Sequence, residues 1–382
     1  MIKLEDIGNF KTVPQLVNDI INGNISELEA VLAEGWDVNE KIKIGKYTEL
    51  LPIDYALIME NFESVKWLIA HNADLNQKED SAFLTAVRYC KECIVRCVVE
   101  HGAKVNMEHK VGGEAYQQAL YGRNFEILPV IHELGHTVEK YGGASFRSAV
   151  WDAAKVNGRL VIVDGKVIPN DPTTRDYTVL DFFISHGVDI NYHKSDSVFH
   201  DSETPVCVAV RYVDLHMVKY LVEHGADITI KTKSGMRPYS IAVEKGDVEM
   251  SAYLKQLEPA DFHSLNTKLD ELKSYKLPKN LMDFLQGDNL HLELGDDYDI
   301  TNIDFFPLID TVEMKVGRQK LLRISKAMSD YEHILICWNP KTKKIAYYDM
   351  EHDELANMCK FEEFMQQPAV CLENIILGKY TE

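Results

Sequence analysis

The sequence predicts a mainly α-helical chain in which a stacked array of helix pairs precedes a small α+β domain. A short phrase recurs after apolar segments of helical period, as in LAEGWDVN at 32–39, VEHGAKVN at 99–106 and VEHGADIT at 222–229. Each copy contains Gly or Asn, which readily adopt the left-handed conformation that follows a helix. Such recurrence indicates a repeat array, because single units cannot bury their own apolar faces. The phrase stops after Leu257, and patterns typical of strands follow.

A small residue lies in the middle of the helix that precedes most phrases. These residues are Ala56, Ala86, Ala119, Ala149, Ala209 and Ala242. We expect neighbouring first helices to pack too closely there for a larger side chain. In three copies this helix opens with a proline turn, at 51–56, 204–209 and 237–242. Proline suits the first helical position because its missing N–H would be unpaired there.

These motifs resemble the ankyrin repeat, whose T-P-L-H-x-A signature and period of about 33 residues they match. The best copy is TPVCVAVRYVDLHMVKYLVEHGADIT at 204–229, and 236–257 has the character of a last, capping unit. The resemblance implies an ankyrin-repeat solenoid of about seven repeats within residues 1–258. It also implies a groove, formed by first helices and finger-like turns, that binds a protein partner.

One repeat carries an insertion at about residues 157–176. The interval from Ala149 to Ala209 is about one repeat too long. Two β-branched runs on either side of Asp164-Gly165 predict a hairpin with a tight turn, and 169–172 predicts a loop. Such an insertion either contributes to the binding face or decorates the array without a function.

The segment His132-Glu133-Leu134-Gly135-His136 fits the H-E-x-x-H pattern of zinc proteases. That chemistry needs both histidines on one continuous helix, with Glu133 as the general base. In the repeat register, however, Gly135 aligns with Gly225 and ends the helix before His136. Asp152 is the only candidate for a third ligand. The segment is therefore interpreted as a repeat tail, and a zinc metalloprotease is kept as a remote alternative.

Beyond the array, residues 259–275 are predicted to form a helical linker and 276–382 an α+β domain. Its predicted elements are an amphipathic helix at 277–289, strands at 320–324, 333–338 and 344–349, and a second helix at 361–365. The segment 339–343 is rich in turn residues and joins the last two strands as a hairpin. Strands flanked by helices indicate a compact α+β domain.

This order resembles the SUKH superfamily of small α+β domains. The matching segments are LPKNLMDFL at 277–285, ILICWNPKTKKIAYYDMEHDE at 334–354 and KFEEFM at 360–365, whereas the Gly-rich stretch usual in that family is replaced by GRQKLLRIS at 317–325. The resemblance implies a bacterial immunity protein that binds and blocks a cognate toxin, often a nuclease.

Composition and charge exclude several classes of protein. The chain of 382 residues has a formal net charge of −19, which excludes a nucleic-acid binder because phosphate backbones require a basic surface. No apolar run reaches the ~20 residues that span a bilayer, and MIKLEDIGNFK lacks the regions of a secretory signal. The seven cysteines are irregularly spaced and are predicted to be reduced thiols. A cytoplasmic monomer without a cofactor is expected.

The leading hypothesis is a non-catalytic protein that binds and occludes a basic, nuclease-type toxin. The alternative is a general ankyrin-repeat adaptor or scaffold. No nucleophile, base and orienting group occur together in a recognisable pattern, so an enzyme is not expected. The residues predicted to contact a protein partner are aromatic anchors and steering carboxylates. They are Tyr47, Tyr89, Phe199, His200, Tyr212, Asp296, Asp297 and Asp299.

Overall fold

The computed structural model describes residues 13–77, 81–108, 113–157, 161–163, 166–168 and 176–380. These residues form two compact units, which are described separately. The N-terminal unit comprises Met1–Asp152 and Thr173–Ile190, and the C-terminal unit comprises Ala153–Pro172 and Asn191–Glu382. The last helix pairs of the predicted array therefore cluster with the predicted α+β domain.

The N-terminal unit is built mainly from short helices arranged in pairs. They are α1 (Gln15–Asn22), α2 (Ile25–Ala33), α3 (Pro52–Ile58), α4 (Phe62–Ala70), α5 (Ala82–Tyr89), α6 (Glu92–Glu100), α7 (Ala115–Tyr121), α8 (Leu128–Glu133), α9 (Val138–Asn157) and α10 (Thr178–Ser185). Residues 153–157 at the end of α9 belong to the C-terminal unit. The first helices of successive pairs pack on one another, α1 on α3, α3 on α5 and α5 on α7. Ala56, Ala86 and Ala119 are fully buried at these contacts, as their size predicts.

Polar caps fix where the second helix of a pair begins. Asn61 precedes α4, and its side chain accepts the backbone N–H of Ser64. The same side chain donates to the carbonyl of Ile21 in α1, 3.1 Å away. One residue thus satisfies a free N–H at a helix start and ties its pair to the previous one.

Short hairpins extend from the helices. β1 (Ile42–Ile44) pairs with β2 (Thr48–Leu50) in the N-terminal unit, and β3 (Val161–Val163) pairs with β4 (Lys166–Ile168) in the C-terminal unit. The second hairpin confirms the strands predicted around Asp164-Gly165. The turn itself and the predicted loop at 169–172 lie outside the described residues.

The first four helices of the C-terminal unit form two pairs, and the later helices pack in one core with the strands. They are α11 (Pro205–Arg211), α12 (Leu215–Glu223), α13 (Pro238–Lys245), α14 (Val248–Leu257), α15 (Leu265–Leu272), α16 (Lys279–Leu285), α17 (Phe361–Gln366) and α18 (Pro368–Ile376). The first helices α11 and α13 pack on each other, and Ala209 and Ala242 are fully buried. The segment predicted as a linker contributes Leu272 and Tyr275 to the core of the α+β region.

Besides the hairpin of β3 and β4, the described part of the C-terminal unit contains two larger antiparallel sheets. The five-stranded sheet has the order β12-β11-β10-β8-β7 and the three-stranded sheet the order β5-β6-β9. The strands are β5 (His291–Glu293), β6 (Asn302–Phe305), β7 (Val312–Val316), β8 (Gln319–Arg323), β9 (Ser325–Met328), β10 (Ile334–Asn339), β11 (Lys344–Asp349) and β12 (Glu354–Asn357). The chain passes from one sheet to the other at Ile324, which separates β8 from β9.

The three predicted strands are confirmed as β8, β10 and β11, and β10 pairs with β11 from Ile334↔Asp349 to Asn339↔Lys344. The predicted helix at 277–289 is shorter, spanning Lys279–Leu285. The acidic stretch at 293–304 has its two ends in β5 and β6, which pair with each other. Strands β7, β9 and β12 were not predicted, since each is short and mixes polar with apolar residues.

Candidate functional site

An arginine and two tyrosines meet at the ends of two neighbouring first helices in the N-terminal unit. Arg88 and Tyr89 end α5, and Tyr121 ends α7. The guanidinium carbon of Arg88 lies 5.2 Å from the centre of the Tyr89 ring and 5.9 Å from that of Tyr121. These distances are typical of cation–π contacts. We call Arg88, Tyr89 and Tyr121 the Arg88 cluster.

Close packing of the two helices brings the cluster together. At Gly122, which follows α7, an added Cβ would lie 2.0 Å from the carbonyl oxygen of Arg88, so only glycine fits this approach. The side chain of Asn124 then donates to the carbonyls of Val87 and Cys90, at 2.9 and 2.8 Å. The turn after α7 is thereby held against the end of α5.

Polar neighbours hold the side chains of the cluster in place. Gln117 donates from Nε2 to the Tyr121 hydroxyl at 2.9 Å, and Arg88 donates from Nη1 to Oε1 of Gln118 at 3.5 Å. The Tyr121 side chain is 56 % exposed, while Arg88 and Tyr89 are half-buried. Tyrosine and arginine are among the residues that contribute most of the binding energy at protein interfaces, and here they are already ordered.

Tyr89 was among the predicted contact residues, whereas Arg88 and Tyr121 were missed. A signal was available, because the tetrapeptide AVRY occurs twice, at 86–89 and 209–212, in the same repeat register. The two copies differ in environment. Arg88 faces tyrosine rings, but Nε of Arg211 lies 2.5 Å from a carboxylate oxygen of Glu203.

The other predicted aromatic anchors are distributed over both units. Tyr47 lies in the turn between β1 and β2 and is 86 % exposed, with Nζ of Lys46 4.9 Å from its ring centre. Tyr212 follows α11 in the C-terminal unit and is partly exposed, and His200 is exposed. The choice of Phe199 as a contact anchor is wrong, because it is only 5 % exposed and packs inside its unit.

The predicted steering carboxylates Asp296, Asp297 and Asp299 lie in the turn between β5 and β6 and are exposed. The backbone N–H of Asp299 donates to Oε2 of Glu373 at 3.3 Å. Their role in steering a basic partner stays a prediction.

The H-E-x-x-H segment does not form the continuous helix of a zinc protease. Helix α8 ends at Glu133, and Gly135 has a φ of +97°, so the predicted end of the helix is confirmed. His136 is buried, with Nε2 2.7 Å from Oε2 of Glu114 and Nδ1 3.0 Å from Oδ1 of Asn106. Because Glu114 caps α7, these contacts brace the start of that helix. Within the ranges that the structure describes, no group of three or more potential metal ligands occurs.

The C-terminal unit contains a cleft of about 880 Å³. Its walls come from the turns before α11 and α13, from the ends of these helices, and from strands β8 and β9. Four charged residues form a chain along it. Glu203 binds Arg211, Arg211 lies 3.6 Å from Glu244, and Glu244 binds Arg323 at 2.6 Å.

Among these four charged residues, Arg323 makes the most hydrogen bonds. It is almost completely buried, and it donates to the carbonyls of Ser325 and Lys326 at 2.9 and 3.0 Å as well as to Glu244. Burial acts against the charged form of Arg211, but the carboxylates of Glu203 and Glu244 more than offset it, so the pKa of Arg211 is raised. The charges that line the cleft are largely paired with one another.

The strands of the C-terminal unit also approach the turn before α13. Gly235 in this turn has a φ of +84°, and an added Cβ would lie 2.0 Å from the carbonyl oxygen of Glu313 in β7. Nearby, Nζ of Lys268 donates to the carbonyl of Thr311 at 2.6 Å. Since Arg323 of β8 also binds Glu244 of α13, the chain's own strands line part of the helix face where the ankyrin resemblance implied a groove for a partner.

Comparison with known families identifies part of the array. Residues 174–266 match the family model for ankyrin repeats, in three copies. No curated protein sequence matches the chain. The comparisons give no support for the SUKH resemblance, which stays a prediction. None of the described helices is both long and apolar enough to cross a membrane. Ankyrin repeats imply a protein-binding role.

Proposed function

We propose that this protein is a non-catalytic adaptor that binds another protein through the Arg88 cluster. The ankyrin repeats at 174–266 support binding as the class of function. The Arg88 cluster supports the location, since it combines an exposed tyrosine, a half-buried tyrosine and an arginine on two stacked first helices. The single observation that carries the proposal is the placement of Arg88 against both rings.

The physical basis is pre-organisation. A tyrosine loses little conformational entropy on binding, and rings already held by Arg88 and Gln117 lose less. A partner that covers the cluster would remove the exposed Tyr121 ring from water and would strengthen the cation–π contacts through desolvation.

The α11–α13 face contributes less to partner binding in this proposal. Its arginine, Arg211, is held by Glu203 and Glu244, and the neighbouring strands line the same cleft. The same AVRY tetrapeptide thus provides a contact site in one unit and a structural ion pair in the other. Tyr212 remains a candidate for a peripheral contact.

The test is quantitative affinity capture from the native cell with the full chain as bait. Arg88→Ala and Tyr121→Ala baits should lose a partner that the wild-type bait retains. Val248→Ala is a matched control, because Val248 is exposed on α14. Equal recovery of all partners by the wild-type and Tyr121→Ala baits would refute the proposed surface.

A second candidate is the finer hypothesis of an immunity protein against a basic, nuclease-type toxin. It is favoured by the net charge of −19 and by the exposed carboxylates Asp296, Asp297 and Asp299. In this case the captured partner should be a basic toxin domain, and the purified protein should inhibit its nuclease activity. Binding should weaken as salt is raised. A captured partner without nuclease activity would favour the adaptor instead.

A further inference from the structure

Two cysteines of the C-terminal unit lie next to each other. Sγ of Cys359 is 3.6 Å from Sγ of Cys371, and neither belongs to a disulfide. Cys359 lies between β12 and α17, and Cys371 lies in α18. At 3.6 Å the two sulfurs are in van der Waals contact, compared with about 2.05 Å in a disulfide.

Both thiols are held by ordered backbone. The carbonyl of Cys359 accepts the N–H of Ile345 in β11, at 2.9 Å. The carbonyl of Cys371 accepts the hydroxyl of Tyr380, at 3.2 Å. Cys371 belongs to the hydrophobic core, and Cys359 packs against that core from its edge. The pair therefore occupies a defined site in the fold.

We propose that Cys359 and Cys371 are a redox modification site that forms a reversible disulfide on exposure to a small hydroperoxide. In the first step the sulfur of Cys371 attacks hydrogen peroxide, the O–O bond breaks, and Cys371 is oxidised to a sulfenic acid as hydroxide leaves. The sulfur of Cys359 then attacks that of Cys371, the S–O bond breaks, and the proton of Cys359 leaves with the oxygen. In sum, two thiols and one peroxide give one disulfide and two waters.

The surroundings assign the two roles. The thiol of Cys359 donates to Cys371, which lowers the pKa of Cys371 although burial opposes this. The same hydrogen bond and burial raise the pKa of Cys359. The hydrogen bond therefore favours the thiolate on Cys371 over that on Cys359, and the thiolate is the reactive form. Cys359, the more exposed of the two, is the resolving partner.

The disulfide would lock α18 to the segment between β12 and α17. It closes a short loop, and such a cross-link stabilises the folded state chiefly by restricting the unfolded chain. The oxidised protein should thus melt several degrees above the reduced protein. A thiol reductant should reverse the shift.

Mass spectrometry of the full chain tests the proposal. The reduced protein is treated with hydrogen peroxide, free thiols are alkylated, and the unreduced sample is digested with trypsin. Cleavage after Lys344, Lys360 and Lys379 places Cys359 and Cys371 in separate peptides, 345–360 and 361–379, each with one cysteine. We expect these peptides to be joined, with a mass about 2 Da below their sum because two hydrogens have left.

Matched variants separate this disulfide from general oxidation. Cys93→Ser removes an exposed thiol and should leave the cross-link unchanged. Cys359→Ser should abolish both the cross-link and the shift in melting temperature. Joined peptides in the wild-type protein support the proposal even where a variant folds poorly. Oxidation of Cys93 without joining of the two peptides, or sulfinic acid at Cys371 in place of the disulfide, would overturn it.

Discussion

Replacing Arg323 by methionine should destabilise the C-terminal unit by about 3 kcal/mol. The change removes the charge while keeping a side chain of similar length. It breaks the 2.6 Å contact with Glu244 and leaves the carbonyls of Ser325 and Lys326 without this donor. Removing one partner of a buried ion pair costs about 3 to 5 kcal/mol. The low end applies because Glu244 keeps Arg211 at 3.6 Å.

The assay is urea unfolding of the full chain labelled with 5-fluorotryptophan and followed by ¹⁹F NMR. Trp338 is buried in the C-terminal unit and donates to the carbonyl of Tyr275 at 2.9 Å, so its signal reports on that unit. The other three tryptophans, Trp36, Trp67 and Trp151, lie in the N-terminal unit. The midpoint of the Trp338 signal should fall by about 1 M urea.

A control variant and a double-mutant cycle test whether the loss of stability comes from the contact between Arg323 and Glu244. Arg318→Met removes an exposed arginine from the turn between β7 and β8 and should change stability by less than about 0.5 kcal/mol. Combining Arg323→Met with Glu244→Gln should cost less than the sum of the single changes, because both remove the same contact. Equal stability of Arg323→Met and Arg318→Met would refute the reasoning.

Three further predictions concern single sites in the C-terminal unit. Gly235→Ala should lower the free energy of unfolding, measured in urea, by more than about 3 kcal/mol, because the added Cβ would meet the Glu313 carbonyl. Gly225→Ala is the control, since Gly225 has a similar φ with open space around it, and should lower the free energy by only about 1 kcal/mol. Equal losses in the two variants would contradict this. Burial lowers the pKa of His263 from 6.5 to about 4, while the Glu258 carboxylate, 2.9 Å from Nε2, acts in the opposite direction. With the folded pKa below the unfolded one, the unfolded chain binds a proton first as the pH falls, so wild-type stability should drop between these values relative to His263→Asn; parallel curves would contradict this. The rate of disulfide formation, followed by the joined peptides, should rise with pH over a range below that of an ordinary thiol, because the pKa of Cys371 is lowered. A rate independent of pH would contradict this.

Local patterns in the sequence were sufficient for the helices and for several turns. The apolar period and the Gly or Asn that follows it placed the ends of α8 and α12, because helix termination depends on a few neighbouring residues. The same register showed that His136 follows a helix instead of lying within one. The hairpin of β10 and β11 was predicted for the same reason, since its turn is encoded at 339–343.

Contacts between distant residues could not be predicted in this way. Arg323 and Glu244 are 79 positions apart, and the residues next to them in the sequence do not indicate that they pair. Likewise, nothing local distinguishes Arg88, which meets two tyrosines, from Arg211, which meets two carboxylates. Such differences arise from which elements pack together, and packing depends on the whole unit.

The role of the Arg88 cluster is tested most directly by the affinity of Tyr121→Ala for the captured partner. Truncation of a residue that dominates an interface costs about 2 kcal/mol or more, which is about a 30-fold increase in Kd. The ring is 56 % exposed and makes one hydrogen bond, so the melting temperature should change little. Isothermal titration calorimetry of the wild-type and variant proteins should show this 30-fold loss. An unchanged Kd in a folded variant would contradict binding through the Arg88 cluster.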